Sequence, residues 1–592
     1  MPLRRPILAL AIGSLVVAGL GLRDWSIDCG RATAFAGQAF DAYGLTLSVQ
    51  GPASLTLLPL PRLSLGRVRV TSGADGPVLA EGGRLVIDLD PVGLLAGRAT
   101  VGGLHLDGTR LSTDMAAWNG PIARVAEQIR SGVTARPRRI ALTGARLAEG
   151  GEAEDIALDI AWPFWSASAE GHASLTWRGV PTRIALTHLR PADIAEGRRS
   201  PFTAEVTWPG GSLAADGTME PRADGTAMPI LAGRARFETR SLPESLSWIR
   251  RDAPLSPLAG TFSIDGQFEV ADRSVSWPSL RIGLGQNVLE GAGAVTLGSG
   301  DAPRLSVQAT LAAETLDLAP LAGDFAQILG REPLPLALAP LTQGDLDLRL
   351  SAAEGWVGPV KVQDLAASVL VRDAALEVAV NRARIQDGTL KARVMLASGA
   401  DPAETEVRTQ GSLDRVDLGT VLREIGAGHW LVGPMQGHFA LEGSGRDSAS
   451  LLKHLGGRVS LAIEGGAIMG IDLADVIHRN GAVAPGALAR RNGRTAFERA
   501  TVTLRFADGI GEIAEAGLLG PSVGATLHGQ VSLPGRRLDA QGDLALRSAT
   551  GPVRGLPFEV SGPWSAPTAQ TLPPGEGSSR PADPARRCCL IS

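Results

Sequence analysis

Apolar and polar residues alternate along most of this chain. In Leu45–Val49 every second residue is apolar, and Gly51-Pro52 follows as a turn signal. The same pattern recurs to the end of the chain, in Gly260–Gly266, Gly344–Leu350, Gly437–Gly443 and Gly529–Gly535. Period-two alternation is typical of strands with one apolar face. With turn signals about every 8–12 residues, it predicts a mainly β body of short antiparallel strands.

Helical periodicity is rare. One helix is predicted over Asn119–Ser131, where Ile122, Val125, Ala126 and Ile129 fall on one face. Shorter helices are predicted at Leu318–Leu329, Val421–Ile425, Ser448–Leu455 and Leu473–Ile477. Asp472 is a candidate N-cap for the last of them. We expect these helices to close the ends of β layers rather than to carry chemistry.

One apolar run, Ile7–Leu22, interrupts this pattern near the N-terminus. Arg4 and Arg5 precede it with no acidic residue, whereas the arginines that follow it are offset by Asp24 and Asp28. The positive-inside bias therefore predicts a short cytoplasmic N-terminus, residues 1–6, with the rest of the chain exported.

The run is short for a membrane-spanning helix, which needs about 17–25 residues. A cleaved signal peptide and a buried helix are therefore alternatives. Cleavage needs small residues just beyond the apolar core, and Ala32-Thr33-Ala34 lies too far along. Trp25 suits a membrane interface. We predict an uncleaved single-pass anchor over residues 7–22, marked by Ile7, Leu22 and Trp25.

Composition narrows the class of protein. The 592 residues are 44% hydrophobic and the formal net charge is −4, so a packed core is expected and no electrostatic footprint for nucleic acid is present. The basic residues are nearly all arginine, which suggests a GC-rich bacterial source and hence a periplasmic location. Only three cysteines occur, so a disulfide framework is excluded. Beyond Trp564 the Pro-, Gly- and Ser-rich sequence predicts a disordered tail.

A strand with one apolar face needs something to cover it. The ordinary cover is a second sheet, which would give a sandwich core. The alternative is an open, curved sheet whose apolar face lines a groove and is covered by acyl chains. The alternation alone leaves both interpretations open.

The sequence lacks the common motifs for catalysis and for cofactors. The three lysines each follow a residue other than glycine, which excludes a P-loop. Neither a dinucleotide fingerprint nor a nucleophile elbow is present. We therefore predict no enzyme activity and no cofactor.

Several polar pairs are interpreted as surface residues. Asp88/Asp90 and Asp345/Asp347 place two carboxylates on one strand face, which could serve acid–base or calcium chemistry but is more typical of a solvated face. The histidine pairs His429/His438 and His454/His478 lack metal-ligand spacing. The C-terminal Cys589-Leu-Ile-Ser592, with Cys588 adjacent, matches the C-a-a-X prenylation pattern, but the export anchor and the bacterial composition argue against lipidation.

The block after the anchor resembles the start of the AsmA family of bacterial envelope proteins. The family opens with an anchor, a short helix, a strand ending in a turn and a Pro-interrupted second strand. Gly44–Gly51 and Leu57–Leu65 are similar to the two strands, and Asp90–Asp107 is similar to the turn and strand that follow.

The C-terminal third carries a stronger resemblance to the same family. Gly456–Leu473 is similar to a family strand that leads through a Gly-x-Ile-x-Gly-x-Asp-Leu motif into a helix. Thr495–Phe506, Gly529–Leu546 and Leu556–Pro567 continue in the family's order. Gly470 and Asp472 match the motif, and a turn and a helix cap explain both without a functional role. The resemblance covers about residues 1–110 and 405–567.

The resemblance implies a protein anchored in the inner membrane, periplasmic and active in outer-membrane assembly. It implies an elongated, curved, groove-like β body that passes phospholipid between membranes without catalysis. The partners would be the inner membrane, phospholipid acyl chains and envelope assembly proteins. The predicted regions are 1–6, the anchor 7–22, an N-terminal β region 23–250, a middle β region 251–404, a C-terminal region 405–567 and the tail 568–592.

Two rival functions are kept. One is a periplasmic scaffold or quality-control factor with a closed core, whose sheet edges pair with client strands. The other is a periplasmic hydrolase that uses the scattered carboxylates or histidines. Lipid that stays bound on purification would distinguish the groove from the scaffold. A charge placed at Leu346 or Leu348, two positions expected to face inward, would test the groove.

Overall fold

The computed structural model shows a mainly β protein that divides into two compact units, Met1–Gly285 and Gln286–Ser592. The boundary falls inside the predicted middle region, and the division into three β regions stays a prediction. The structure describes residues 22–571, apart from 92, 94–99, 132–136, 149–151, 164, 223–228, 249–259, 300–303, 319–333, 337, 339–341, 343, 400, 402, 425–428, 471, 479–492, 549–550 and 564–567.

The first unit contains sixteen strands and four helices among its described residues. Its strands are β1 (Trp25–Ile27), β2 (Leu45–Val49), β3 (Ala53–Thr56), β4 (Arg62–Ser72), β5 (Val78–Leu89), β6 (Val101–Asp107), β7 (Arg110–Leu111), β8 (Arg139–Leu147), β9 (Ala153–Ala161), β10 (Ala169–Trp177), β11 (Val180–Leu189), β12 (Ser200–Trp208), β13 (Gly211–Glu220), β14 (Ile230–Thr239), β15 (Phe262–Ala271) and β16 (Ser274–Leu284). Its helices are α1 (Cys29–Asp41), α2 (Met115–Arg130), α3 (Pro191–Ala195) and α4 (Leu242–Trp248).

The second unit has the same character. Its strands are β17 (Asn287–Leu297), β18 (Leu305–Asp317), β19 (Asp345–Val357), β20 (Val360–Arg372), β21 (Ala375–Ile385), β22 (Gly388–Ser398), β23 (Thr405–Asp417), β24 (Leu431–Val432), β25 (Pro434–Gly445), β26 (Gly456–Met469), β27 (Arg494–Ala507), β28 (Ile510–Leu519), β29 (Val523–Ser532), β30 (Arg537–Ser548), β31 (Gly551–Pro563) and β32 (Thr568–Thr571). Its described helices are α5 (Leu418–Glu424), α6 (Ser448–Lys453) and α7 (Leu473–His478).

Neighbouring strands pair mostly in antiparallel fashion, as predicted. In the first unit β8 instead pairs parallel to β6 and β7, and the chain between β7 and β8 contains α2. In the second unit β19 pairs parallel to β18. A parallel pair needs a long crossover, because the chain must return to the end of the sheet from which it started.

Several strands are longer than the glycine pattern predicts. The pattern places Gly437 and Gly443 at the two ends of a short strand, but both lie inside β25. A Cβ at Gly437 would come within 2.4 Å of the Ser460 carbonyl oxygen, and one at Gly443 within 3.1 Å of Leu451. These glycines therefore mark close approach of a neighbour rather than turns.

Four of the predicted helices appear in the described residues, with bounds within a few residues of those expected, as α2, α5, α6 and α7. The Asp472 carboxylate accepts hydrogen bonds from the backbone N–H groups of Ala474 and Asp475, which confirms the predicted cap. The helix predicted at Leu318–Leu329 lies outside the described residues, except for Leu318. Ile122 and Val125 on the predicted apolar face of α2 are exposed.

Candidate functional site

One apolar row crosses eleven neighbouring strands of the first unit, from β5 to β16. Each member lies directly opposite the next in the strand register, and none is polar. The row consists of Leu85, Leu106, Leu142, Leu158, Ala173, Ile184, Val206, Leu213, Phe237, Ile264 and Ile282. Because side chains alternate between the two faces of a sheet, this first apolar row marks one apolar face.

The other face of β6 and β8–β16 is polar, whereas on β5 the residue opposite His105 is the apolar Val86. The row beside the first apolar row contains mostly charged residues and histidines separated by alanines, namely His105, Ala141, Asp159, His172, Ala185, Glu205, Ala214, Arg236, Asp265 and Arg281. Arg236 and Arg281 of this row are exposed. The sheet of this unit is therefore amphipathic from strand to strand.

Ion pairs hold charges together on that polar face. The Arg139 guanidinium contacts both carboxylate oxygens of Asp159, at 2.8 and 2.6 Å, and its hydrogen bond lowers the pKa of Asp159 below the usual range. Hydrogen bonds from Arg236 and then Arg234 lower the pKa of Asp265 in the same way. Both carboxylates therefore stay charged at neutral pH, which keeps this face polar.

A second apolar row crosses fourteen strands of the second unit, β17–β23 and β25–β31. It contains only aliphatic residues, one phenylalanine and glycines, and it consists of Gly291, Leu311, Leu350, Ala367, Val380, Ala392, Gly411, Phe439, Val459, Leu504, Ile513, Gly529, Ala540 and Val560. Leu346 and Leu348 lie on the same face of β19 as Leu350, opposite Val371 and Val369 of β20.

Glycines in the strands often face phenylalanines across a strand pair. Among the described strands such pairs are Phe202/Gly217, Gly233/Phe268, Gly411/Phe439, Gly457/Phe506, Gly466/Phe497, Phe506/Gly511 and Gly542/Phe558. A Cβ at Gly411 would lie 2.5 Å from Cζ of Phe439, so the ring occupies the space above the glycine. This arrangement, in which an aromatic ring covers a strand glycine, keeps the face apolar.

Among the described residues, helices pack on these faces at several places. Helix α1 packs Ala32, Ala36 and Phe40 on β2, β4 and β5, where Leu65 and Leu85 are fully buried. Helix α7 packs Ile477 on Val523 and Leu544 of β29 and β30. At one end of the first unit's apolar face, Trp248 of α4 stacks on Trp208 with ring centroids 4.7 Å apart.

Away from these helices, large apolar side chains stay accessible. Ile184 and Leu213, in the middle of the first apolar row, are each 37% exposed. Leu350, Val380 and Phe439 of the second row are half-buried. The two rows therefore present apolar surface with no titratable group in it, which suits contact with hydrocarbon and offers nothing for acid–base chemistry.

The predicted anchor residues are only partly described. Ile7 lies outside the described residues, and Leu22 is exposed. Trp25 begins β1, where it lies opposite Leu55 of β3. Among the residues that the structure describes, no helix has the length and apolar character needed to cross a membrane. The anchor over residues 7–22 therefore stays a prediction.

Three of the four paired carboxylates, Asp88, Asp90 and Asp347, lie in ion pairs. Asp88 accepts a hydrogen bond from Arg62 at 2.8 Å, Asp90 lies 3.6 Å from Arg138, and Asp347 lies 3.6 Å from Arg349. These contacts fit the interpretation of the two aspartate pairs as parts of a solvated face.

The histidine pairs are placed on ordinary structural elements. His438 lies opposite Ser412 and Ser460 in the sheet, and His454 follows α6, where its Nδ1 lies 3.0 Å from the Ser450 carbonyl oxygen. Within the described ranges, no group of three histidine, cysteine or acidic side chains could hold a metal ion. Cys588 and Cys589 lie outside those ranges.

These observations define a class, the mainly β proteins whose amphipathic sheet leaves part of its apolar face accessible. Within that class, residues 326–515 of the chain match the model of the AsmA family. The match overlaps the predicted C-terminal resemblance from 405 and extends into the middle region, whereas the resemblance of residues 1–110 lies outside it. Comparison with curated proteins and with solved structures gave no match.

The family resemblance implied a short helix between the anchor and the first strand, and α1 occupies that place, although its bounds were not predicted. The Asp28 carboxylate caps this helix by accepting a hydrogen bond from the Arg31 backbone N–H. Sequence reasoning missed the set of glycine–phenylalanine pairs, because each partner lies on a different strand. The Pro-interrupted second strand predicted over Leu57–Leu65 is instead the turn after β3 followed by the start of β4.

Proposed function

We propose that this chain is a membrane-anchored periplasmic protein of outer-membrane biogenesis, whose apolar faces conduct phospholipid acyl chains between membranes. The observation that carries the proposal is the unbroken register of apolar residues across successive strands, with side chains that remain accessible. The AsmA family match, whose relatives are associated with the envelope, supports the location.

The driving force is the removal of hydrocarbon from water. Each CH₂ group that leaves water for an apolar surface gains about 0.8 kcal/mol. An aliphatic face recognises this hydrocarbon without selecting a headgroup, while headgroups remain in water at the strand ends. Because every step along the row presents the same kind of surface, an acyl chain can move between neighbouring positions without crossing a polar barrier.

The activity proposed is passive and not enzymatic. The two rows contain no acid, base or nucleophile, and we propose no cofactor. The direction of transfer would then come from a partner or a concentration gradient, and the partners would be the inner membrane, phospholipid acyl chains and envelope assembly proteins.

The test is mass spectrometry of lipid retained by an Arg23–Trp564 fragment that is purified without detergent. We expect several phospholipids per chain. Leu348→Asp places a charge on the apolar face and should remove most of them. Ser351→Asp is the matched control, because Ser351 lies in the same strand, is exposed, and points to the polar face.

A folded fragment that retains no lipid would contradict the proposal and would favour the scaffold with a closed core. Equal retention by the two aspartate variants, with circular dichroism spectra like that of the parent, would also contradict it. If substitution of a carboxylate or histidine abolishes function without unfolding the chain, this result would instead support the alternative that the protein is a hydrolase.

A further inference from the structure

The turn between β3 and β4 has an unusual composition. It reads Leu57-Leu58-Pro59-Leu60-Pro61, and Leu57 and Leu60 are 47% and 44% exposed. Strand-connecting turns usually contain Gly, Asn, Asp or Ser, which tolerate the turn backbone and interact with water. A turn with exposed leucines instead indicates a surface that contacts another apolar phase. We call residues 57–60 the leucine tip.

The N-terminal chain enters the described structure beside this tip. Strand β1 runs antiparallel to β3, with Trp25 opposite Leu55. The Thr56 hydroxyl donates a hydrogen bond to the Asp24 carboxylate, which holds the residues before β1 next to the end of β3. The apolar run predicted as an anchor ends at Leu22, so it reaches the sheet at the leucine tip.

Residues around the entry point have the chemistry of a membrane interface. The Arg23 guanidinium carbon lies 5.8 Å from the ring centroid of Trp25, and both side chains are exposed. Tryptophan and arginine are favoured at the headgroup level, where one part of the side chain meets hydrocarbon and the other meets water or phosphate.

A second exposed apolar patch helps to decide the orientation. Ile122 and Val125 lie on α2, and Gln128 of this helix donates a hydrogen bond to the Ala42 carbonyl oxygen. Ala42 lies close to the start of β2, which pairs with the Ser72 end of β4. The leucine tip lies at the other end of β4, about 33 Å away at roughly 3.3 Å per strand residue. Because the predicted anchor joins the sheet beside the leucine tip, we take this end of β4, and not the end near α2, as the membrane side.

We propose that the leucine tip inserts into the boundary between headgroups and acyl chains of the bilayer that holds the predicted anchor. Arg23 and Trp25 then lie in the headgroup layer, and the end of the sheet formed by β1, β3 and β4 is seated on the membrane. This inference rests on the predicted anchor and not on lipid transfer, so the lipid-retention experiment above tests a separate claim.

The test uses the full chain with Cys29, Cys588 and Cys589 replaced by serine. Single substitutions Leu57→Cys, Leu60→Cys and Ala74→Cys each carry an environment-sensitive fluorophore. Ala74 is the matched control, because it is exposed in the turn at the opposite end of β4. Each protein is reconstituted into vesicles of phosphatidylethanolamine and phosphatidylglycerol, and fluorescence quenching is measured with iodide in the water and with a nitroxide near the headgroup end of the acyl chain.

We expect the fluorophores at Leu57 and Leu60 to be quenched severalfold more by the lipid nitroxide than the one at Ala74, and severalfold less by iodide. Equal iodide quenching at all three sites would overturn the proposal. So would labels at Leu57 and Leu60 that are shielded from iodide but not quenched by the nitroxide, because a protein partner would then cover the tip. If the full chain does not float with vesicles, the predicted anchor is wrong, and so is the proposed insertion of the leucine tip.

Discussion

Leu85 and Leu213 belong to the same apolar row of the first unit, yet their surroundings differ. Leu85 lies in β5, in the same core cluster as Ala32, Ala36 and Phe40 of α1, and is 0% exposed, whereas Leu213 lies in β13 and is 37% exposed. Both residues sit on the apolar face of an alternating strand. Alternation therefore decides which side of the sheet is apolar, and a helix decides whether this side is a core or an accessible surface.

The cover over β5 is built from small residues. Ala32 and Ala36 lie one turn apart on α1 and are buried against the strands together with Phe40. Small side chains bring the helix close to the sheet, which excludes water from Leu65, Leu85 and Ile87. Leu213 is not shielded from water to this extent, so part of the apolar face there remains in contact with solvent.

The largest expected effect concerns the contrast between these two leucines. Leu85→Ala should lower the free energy of unfolding by about 2–5 kcal/mol, because it leaves a cavity in a packed core. Leu213→Ala should cost about 1 kcal/mol or less, because its side chain is only partly removed from water. Urea denaturation of the two variants, with hydrogen exchange to locate the change, measures the difference.

Equal losses at the two positions would contradict this contrast. They would mean that Leu213 is packed as tightly as Leu85 in solution and that the two parts of the row form one closed core.

A medium effect is expected in the second apolar row. A Cβ at Gly411 would meet Phe439 at 2.5 Å and the Lys391 carbonyl oxygen at 2.7 Å, so Gly411→Ala should destabilise the chain by about 1–3 kcal/mol. Gly171→Ala is the control in β10, since its nearest neighbours lie 4.0 Å away, and it should be close to neutral. Thermal unfolding of both variants checks the prediction; if Gly411→Ala unfolds at the parent's temperature, Phe439 does not cover the glycine.

The smallest effect concerns the polar face. The pKa of Asp159 is lowered chiefly by its hydrogen bond from Arg139, so its contribution to stability is present above the ordinary aspartate pKa of about 3.9. It is lost as the pH falls through the lower pKa of the folded state. Asp159→Asn should therefore cost up to about 1 kcal/mol at pH 7, a small value because the pair is exposed and screened by solvent.

The measurement is the unfolding midpoint as a function of pH. The Asp159→Asn variant and the parent should converge at low pH, where the parent carboxyl is protonated, and high salt should narrow their difference at pH 7. Glu154→Gln, at an exposed position of the same strand, provides the control. A difference that does not depend on pH would mean that Asp159 acts through packing rather than through its charge.

Much of the fold follows from local pattern. The alternation in Leu45–Val49 predicts β2, and the alternation around residue 347 places Leu346 and Leu348 on one face of β19. Neither prediction depends on which strand lies alongside. Asp472 is recognisable as a cap because its partners are two and three residues away. By contrast, the pattern assigns the leucines of residues 57–60 to a strand, although they form the turn where β3 and β4 meet.

Local sequence was enough to establish that this chain is mainly β and which residues of each strand share a face, because side chains alternate along any extended backbone. It also carried the AsmA family resemblance, through short motifs in a fixed order. Only the tertiary structure decided which glycines lie under phenylalanines, where α1 and α7 cover the sheet, and which leucines stay accessible. Those outcomes depend on contacts between residues far apart in the chain, and no local pattern specifies such partners.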